Sequence, residues 1–273
     1  MATTNPALRF RCMAENVKLL NRSFRPTTVP ADIGTKRDRL IKRLTGNDDP
    51  YKRNKKTSNE RAMKLLPKAK KFVETGHNQQ ERFKKACLCA IVGNTMEFDI
   101  PGHAFTYKTL TKNLKEAAKD LVVDDVDKAY ELAKKARTIL FLSDNAGEIV
   151  FDTLLVEQLK NMGVDVTYVV KGGPVLNDAT LEDIAPSGMD KLADVILTTG
   201  TDAVGLLKKE VSSEFLQVYD KAELVFAKGM GYAETLTEYK LTKPHLLLFR
   251  TKCIPVANYF SAPREKNIAK LMS

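Results

Sequence analysis

The chain has 273 residues, of which 43% are hydrophobic and 29% are charged, so its composition is that of a globular protein rather than a disordered one. It is long enough for one large domain or two small ones. No apolar run approaches the roughly 20 residues of a membrane span, so we expect no membrane partner. Four scattered cysteines and three histidines fit a reducing cytoplasm and argue against a disulfide framework or a His-rich metal site.

The net charge of +10 is unevenly distributed along the chain. Residues 1–120 carry 26 basic and 12 acidic side chains, a net +14, whereas residues 121–273 have a net charge of −4. The basic excess is densest between Lys36 and Lys71. Two interpretations stay open: a solvated helical surface, or attraction for a polyanion or a phosphorylated small molecule. Nucleic acid is not favoured, because the stretch lacks interleaved aromatics and a zinc-finger or RRM signature.

The first part of the chain has a helical pattern. From about Pro6 to Lys119, apolar residues recur at spacings of three and four. Residues 46–50 (Gly-Asn-Asp-Asp-Pro) predict a turn. Residues 86–92 form an apolar stretch that indicates the end of a buried helix at Gly93. We therefore predict a basic helical subdomain over residues 1–120 and a second domain over residues 121–273.

From about Asp127, short apolar runs alternate with amphipathic stretches. Strands are predicted at 138–142, 164–170, 195–197, 224–227 and 245–249, and helices at 149–162, 179–184 and 212–219. The runs are continuous and rich in Val, Ile and Leu, as strands covered on both faces are. This alternation predicts an α/β fold, a three-layer α/β/α sandwich with a mainly parallel, Rossmann-like sheet.

Each predicted strand is followed by a polar or glycine-rich segment. These segments are residues 143–148, 171–174 with Asn177 and Asp178, 198–202, 228–231 and 250–253. Ligands of open parallel sheets bind beyond the carboxyl ends of the strands, so these segments should meet at one edge. Their carboxylate and amide oxygens suit Mg²⁺, Mn²⁺ or a related hard cation. Their lysines and glycine-rich loops suit phosphate.

Each of these residues, taken alone, has a less specific interpretation. Asp144 and Asp178 fit the N-caps of the helices that follow them, and Lys228 fits a solvated strand end. The functional interpretation therefore depends on convergence at one edge. Several known motifs are absent from the sequence: it has no P-loop, no Gly-x-Ser-x-Gly elbow, and no third glycine in the dinucleotide-like segment after Lys228.

Several of these segments occur together in an order typical of one family. They are residues 144–148 (Asp-Asn-Ala-Gly-Glu), 173–180 (Gly-Pro-Val-Leu-Asn-Asp-Ala-Thr), 227–231 (Ala-Lys-Gly-Met-Gly) with Glu234, and Lys252-Cys253. Residues 46–51 and Gly93-Asn94 also match. From about Cys12 to Ala257, the chain resembles the metal-dependent damage-control phosphatases, also called domain of unknown function 89. Within that family it is similar to the stand-alone archaeal-type members.

The resemblance implies a fold, a reaction and a set of site residues. It implies a helical subdomain packed on an α/β/α sandwich, and hydrolysis of phosphate monoesters of small metabolites, such as sugar phosphates or damaged or surplus phosphometabolites. A divalent cation (Mn, Co, Ni or Mg) is expected on Asp144, Asn145 and Asp178. Catalysis is assigned to Asp144, Asp178 and Lys228. Substrate and phosphate binding is assigned to Asn94, Glu148, Gly173, Gly200 and Lys252.

In the expected mechanism, the metal acts as a Lewis acid and lowers the pKa of the attacking water. Lys228 and Lys252 neutralise phosphoryl charge, and glycines at 173 and 200 let backbone N–H groups approach the phosphate. Direct attack by Asp144, or its action as general base, is an open alternative.

The sequence also departs from the family pattern. Relatives often carry Cys-x-x-Cys where this chain has Arg9 and Cys12, and the family's polar residues are replaced at Met230 and Tyr232. Glu97 stands where an Asp is usual. These changes bear on substrate preference rather than on metal binding. Two other functions stay open: a non-catalytic protein that binds nucleotides or phosphometabolites, and an S-adenosylmethionine-dependent carboxyl methyltransferase. The sequence leaves the oligomeric state open.

Overall fold

The computed structural model of the chain describes residues 2–93 and 107–273. Its first part is helical, as predicted: α1 (Pro6–Ser23), α2 (Pro30–Thr45), α3 (Lys52–Glu74), α4 (Gln79–Gly93) and α5 (Tyr107–Asp120). The predicted turn separates α2 from α3, and Gly46 ends α2 with a φ of 64°, a left-handed conformation that glycine adopts without strain. The buried helix expected to end at Gly93 is α4.

Strands and helices alternate after α5. They are β1 (Leu121–Asp124), α6 (Val126–Ala133), β2 (Thr138–Leu142), α7 (Glu148–Lys160), β3 (Asp165–Val170), α8 (Leu181–Ser187), β4 (Val195–Thr198), α9 (Ser213–Lys221), β5 (Leu224–Lys228), α10 (Met230–Leu236), β6 (His245–Arg250), α11 (Ile254–Tyr259) and β7 (Asn267–Met272). The predicted strands correspond to β2 through β6. The predicted helices correspond to α7, α8 and α9.

The strands form one sheet in the order β1-β7-β6-β5-β2-β3-β4. Strands β6, β5, β2, β3 and β4 run parallel to one another. The strand β7 is antiparallel to β6, and β1 pairs with β7 in parallel. The expectation of a mainly parallel sheet is confirmed, but β1, β7 and their reversed direction were not predicted.

Alternate residues of the central strands face two separate cores. In β2, Phe141 belongs to a core shared with α3, α4, α6, α7 and α8. The neighbouring Leu140 and Leu142 belong to a second core, which contains Phe215 of α9 and Tyr232 of α10. Helices therefore cover both faces of the sheet, and the predicted three-layer α/β/α sandwich is confirmed.

The helix α4 packs directly on the sheet. Its Phe83 contacts Phe226 of β5 edge to face, with ring centroids 6.3 Å apart, and lies 5.5 Å from the ring of Tyr130 in α6. The helix also packs along α7. The N-terminal helices and the sheet thus share a core, and the division of the chain into two domains at residue 120 stays a prediction.

Two expectations on chemistry can be compared with the described residues. No helix within residues 2–93 and 107–273 combines the length and apolar character needed to cross a membrane. All four cysteines are free thiols, as expected. Burial raises the pKa of the Cys87 and Cys89 thiols, so both lie in the core as neutral groups.

Candidate active site

The predicted polar segments meet at the carboxyl ends of the parallel strands. The strand order reverses between β2 and β5: from β2 the chain continues to β3 and β4, and then returns to the other side of β2 as β5. Such a reversal opens a crevice between the two strand ends. Asp144 and Asn145 follow β2 at this point. Lys228 is the last residue of β5, and Gly229 comes directly after it.

The loops after β2 and β3 are joined by backbone hydrogen bonds. The N–H of Ala179 donates to the carbonyl of Asp144 (2.8 Å), and the N–H of Ala146 donates to the carbonyl of Asn177 (2.9 Å). Asn145 and Asp178 form an isolated antiparallel bridge between the two loops. The structure therefore brings the three residues expected to bind a cation, Asp144, Asn145 and Asp178, to adjacent backbone positions.

The N-cap interpretation of the two aspartates is wrong. The N-cap of α7 is Gly147, and the N-cap of α8 is Thr180, whose N–H donates to the carboxylate of Asp183 (2.9 Å). The carboxylates of Asp144 and Asp178 are thus not engaged in capping the helices that follow them.

Burial and mutual repulsion destabilise the charged forms of these carboxylates. Burial raises the pKa of Asp144 well above its usual value, and the charges of Glu148 and Asp178 raise it further. Burial also raises the pKa of Asp178 to about 6, against the opposing charge of Lys171. A group of carboxylates that repel one another in a buried site is an arrangement that a bound cation stabilises.

The donor set fits a hard divalent cation. It offers carboxylate oxygens from Asp144 and Asp178 and an amide oxygen from Asn145, and oxygen ligands are those that Mg²⁺ and Mn²⁺ prefer. Among the described residues, no group of three His, Cys, Asp or Glu side chains is arranged as a metal site by itself. The proposed ligand set combines the two carboxylates with the amide of Asn145.

Lys228 lies at the bottom of the site and is fully buried, so its interpretation as a solvated strand end is wrong. Its Nζ donates to Oδ1 of Asp152 (2.9 Å) and to Oε2 of Glu148 (3.3 Å). Burial lowers the pKa of Lys228, but the charges of Asp152 and Glu148 outweigh that effect and raise it. Lys228 is therefore a fixed, buried cation within electrostatic range of Asp144.

Glu148 connects this lysine to the loop after β2. Its Oε1 accepts a hydrogen bond from Nδ2 of Asn145 (2.6 Å), and its Oε2 accepts from Lys228. The same Nδ2 also donates to Oδ2 of Asp144 (3.0 Å). Both carboxylate oxygens of Glu148 are thus used within the protein. In this geometry Glu148 orients Asn145 and Lys228, and its assignment to phosphate binding stays a prediction.

Two residues of the site, Asp152 and Lys171, were not assigned from the sequence. Asp152 is buried in the middle of α7, where it accepts hydrogen bonds from Lys228 and from the hydroxyl of Tyr168 (2.8 Å). Lys171 is buried after β3; its Nζ donates to the carbonyl of Gly205 (2.8 Å) and lies 3.6 Å from Oδ2 of Asp178. The position of Lys171 directly before two glycines was visible in the sequence. Nothing local distinguished Asp152.

The remaining predicted residues lie in different surroundings. Lys252 is exposed at the rim, and its charge partly offsets the raised pKa of Asp144. Gly173 lies in the half-exposed loop beside Asp202. The N–H of Gly200 donates to Oγ1 of Thr198 (3.2 Å), and the residue packs against Ser212; its assignment to phosphate binding stays a prediction. Asn94 lies outside the described residues.

Part of the basic N-terminal stretch is paired with acidic groups of the α/β part. Arg39 donates to Oδ1 of Asp202 (2.8 Å) and to Oε2 of Glu210 (2.6 Å). Lys42 donates to Oδ2 of Asp202 (2.7 Å). Lys55 is buried and lies 2.9 Å from Oδ2 of Asp49, in the turn before α3, and 3.9 Å from Oδ2 of Asp183 in α8. These cations hold α2 and α3 in place, which neither of the two interpretations of the basic stretch had anticipated.

The chain is similar to known proteins of one family. The sequence matches the family model described as "Damage-control phosphatase ARMT1-like domain" over residues 1–268. The chain belongs to this family. It is 37% identical to an uncharacterized protein of Methanocaldococcus jannaschii, over 91% of this chain and 82% of that protein. It is 33% identical to a damage-control phosphatase of Archaeoglobus fulgidus, over 100% of this chain and 93% of that protein.

A third ARMT1-like relative has a solved structure. The damage-control phosphatase PH1575 of Pyrococcus horikoshii is 35% identical over 97% of this chain and 89% of that protein. Its crystal structure, described as that of a DUF89 family protein, superposes with a TM-score of 0.88 over 98% of this chain and 91% of that one, at 32% identity. The predicted family and fold class are both confirmed.

Two of the departures from the ARMT1-like pattern, Met230 and Tyr232, lie at the site. The N–H of Lys252 donates to Sδ of Met230 (3.2 Å), which ties the loop after β6 to the start of α10. Tyr232 is buried, and Nζ of Lys171 lies 4.7 Å from the centre of its ring. The hydroxyl of Tyr232 has no hydrogen-bond partner among the described residues. Both replacements therefore contact lysines of the site.

Proposed function

We propose that the protein is a metal-dependent phosphomonoester hydrolase that acts on small phosphorylated metabolites. One observation carries the proposal. The bridged loops after β2 and β3 bring Asp144, Asn145 and Asp178 together at the point where the strand order reverses, directly above the buried Lys228. Membership of the damage-control phosphatase ARMT1-like family supports the same reaction.

The roles of the residues follow from their contacts. Asp144, Asn145 and Asp178 would hold the cation. A divalent cation bound there supplies Lewis acidity toward a phosphoryl group. Lys228, kept protonated by Asp152 and Glu148, places a positive charge where negative charge develops in phosphoryl transfer. The exposed Lys252 at the rim attracts the anionic substrate. Direct attack by Asp144 on phosphorus remains the alternative role for that carboxylate.

The test is metal-restored phosphate release. The protein is treated with a chelator, and Mg²⁺, Mn²⁺, Co²⁺ or Ni²⁺ is then added back with p-nitrophenyl phosphate and a panel of sugar phosphates. Activity should return with at least one metal. Asp144→Asn and Asp178→Ala should abolish it without unfolding the protein. Asp190→Ala, which changes an exposed aspartate outside the site, should leave it unchanged.

Two outcomes would contradict the proposal. Full activity of Asp144→Asn would exclude the site. A folded protein that binds metal in calorimetry, yet releases no phosphate from any substrate of the panel, would favour the non-catalytic binding protein. Methyl transfer to acidic side chains from S-adenosylmethionine, measured on the same preparation, tests the remaining alternative.

A further inference from the structure

The helix α1 carries a line of exposed apolar side chains along one face. Their exposed fractions are 75% for Phe10, 68% for Met13, 66% for Val17, 45% for Leu20 and 68% for Phe24, which follows the last residue of the helix. Single exposed apolar residues are ordinary, but a continuous apolar surface of this kind marks an interaction site.

The spacing of these residues identifies the type of contact. Successive members are separated by three, four, three and four positions, which is the a/d pattern of a coiled-coil heptad. On another side of the helix, Cys12 is buried, and α1 packs against α2. We call the exposed a/d line, from Phe10 to Phe24, the α1 seam. It is a narrow strip, separate from the face that holds α1 to the protein.

We propose that the α1 seam is the interface between two copies of this chain. The positions that flank the seam at e and g are the neutral residues Ala14, Asn16, Asn21 and Ser23, apart from Arg9 at its outer end. In a pair of identical helices, charged residues of one sign at these positions would repel each other. The charged residues Arg11, Glu15, Lys18 and Arg22 occupy b and f positions, away from the seam.

The size of the seam suits a reversible dimer. A buried Phe contributes roughly 150–250 Å² of surface, so two copies of five largely exposed apolar side chains bury on the order of 1,000 Å² in total. That area lies near the lower limit of about 1,200 Å² for stable interfaces. We therefore expect a dimer that dissociates on dilution.

Symmetry places one residue at the centre of the interface. Val17 is the third of the five seam residues, with Phe10 and Phe24 at equal distances of seven positions on either side. Two copies related by a two-fold axis bring the same surface together, and an axis at the middle of the seam sets Val17 of one copy against Val17 of the other.

The experiment is sedimentation velocity of the full chain from ~5 to ~200 µM, the range in which a micromolar dimer dissociates. The wild type should change from monomer to dimer. Val17→Glu and Val17→Lys should each raise the dimer dissociation constant by ~10-fold or more, because like charges then face each other at the axis. An equimolar mixture of the two variants should dimerise again. Lys18→Glu, at the next position but outside the seam, should dimerise like the wild type.

Three results would overturn the proposal. One is a wild type that stays monomeric over the whole range. Another is a Val17→Glu variant that dimerises as tightly as the wild type. The third is a monomeric wild type that pellets with phosphatidylserine vesicles, with loss of pelleting in Val17→Glu, which would assign the seam to a membrane surface instead. Circular dichroism of each variant checks that α1 and the rest of the chain remain folded.

Discussion

Gly229 is required after β5 because a side chain there would occupy the space of the Asp144 carboxylate. Its φ is +83°, and an added Cβ would overlap the oxygens of Asp144. We expect Gly229→Ala to displace Asp144 and to reduce metal-dependent phosphate release by ~100-fold or more, since small displacements in a site have effects of that size. Turnover and metal affinity are measured on the purified variant.

Gly163→Ala is the matched control for this substitution. Gly163 also has a positive φ, of +80°, but nothing lies within 4 Å of the position of its Cβ. Both variants should therefore lose stability by about 1–2 kcal/mol from backbone strain. Only Gly229→Ala should lose activity. An equal loss of turnover in the two variants would show that the contact with Asp144 is irrelevant.

The buried carboxylate of Asp152 should act through Lys228. It accepts the shorter of the two hydrogen bonds that Lys228 makes to carboxylates, and Tyr168 holds its other oxygen. We expect Asp152→Asn, which removes the charge and retains the shape, to lower kcat by ~10–100-fold and to change KM by less than ~3-fold. The reason is that Lys228 acts on charge that develops only in the transition state.

Steady-state kinetics of Asp152→Asn, with Tyr168→Phe beside it, test this role. Tyr168→Phe removes the second hydrogen bond to Asp152 but leaves its charge next to Lys228, so a smaller fall in kcat is expected. A rise in KM with unchanged kcat would contradict the proposed role of Asp152.

Part of the site could be predicted from the sequence, and the limit has a physical cause. Asp144, Asn145 and Asp178 follow strands, and the carboxyl ends of parallel strands share an edge, so their convergence could be inferred. Asp152 lies inside a helix, four positions after Glu148. Its hydrogen bond to Lys228 joins residues 76 positions apart, a contact that no local pattern indicates.

The buried His245 should make stability depend on pH. Its Nδ1 contacts the carbonyl of Lys243 (2.8 Å), which can only accept, so Nε2 accepts from the hydroxyl of Tyr219 (2.7 Å). Burial lowers the pKa of His245 to about 4, below its ordinary 6.5. As pH falls from 6.5 to 4, the unfolded state takes up a proton before the folded state does, so the folded state loses stability, by about 3 kcal/mol.

Urea unfolding of the wild type and of His245→Gln at several pH values isolates this contribution. Above pH 7 the wild type should be more stable than His245→Gln. The difference between their free energies of unfolding should decrease by about 3 kcal/mol toward pH 4. Other titrating groups occur in both proteins, so the difference cancels their effects. A difference that does not vary with pH would refute the assignment.

At the scale of elements, one side chain connects three helices. Asn59 of α3 accepts a hydrogen bond from the N–H of Gly147, at the start of α7, and donates to Oδ1 of Asp183 in α8 (2.8 Å). The loops that carry Asp144 and Asp178 end at α7 and α8, respectively. The helix α3 therefore fixes the distance between the two loops from outside the sheet.

We expect Asn59→Ala to destabilise the protein by about 2–3 kcal/mol, because two buried polar groups lose their partner. The affinity for Mn²⁺ should also fall, since the two loops are then held less firmly. Chemical unfolding and calorimetry measure the two effects. Glu60→Ala, at the next and exposed position of α3, should change stability by less than about 0.5 kcal/mol. A fully stable Asn59→Ala would remove α3 from the support of the site.

The strands that were predicted and those that were missed differ in their surroundings. Strands β2 and β5 are buried along nearly their whole length, so their sequences are continuous apolar runs. The missed β1 has four residues, with alternating half-buried and exposed positions, at the edge of the sheet. The missed β7 ends in half-buried positions that include Lys270. Strand β1 lies at the edge of the sheet and β7 lies between β1 and β6, and neither forms the continuous apolar run that marks β2 and β5.

At the scale of the whole molecule, the candidate site links parts that are distant in sequence. The loops after β2, β3 and β5 meet there, and α3 supports two of them. A ligand that binds only the folded arrangement stabilises the entire chain. Thermal unfolding therefore reports on a site to which several elements contribute.

We expect Mn²⁺ to raise the melting temperature. At a hundredfold excess of Mn²⁺ over its dissociation constant, the free energy of unfolding should increase by about 2.7 kcal/mol. Asp178→Asn should lose this gain.

The stabilisation by Mn²⁺ should also depend on pH. In the metal-free protein the pKa of Asp178 lies at about 6 and that of Asp144 is also raised, whereas the ordinary pKa of an aspartate is 3.8. Between these pH values the folded state therefore binds protons that the unfolded state does not. The metal-free fold therefore gains stability as pH falls through 6, while the metal must displace those protons. Stabilisation by Mn²⁺ should thus shrink below pH 6, and calorimetry in two buffers of different ionisation enthalpy should detect proton release on binding. If Mn²⁺ increased the free energy of unfolding equally at pH 5 and pH 8, coordination by these carboxylates would be contradicted.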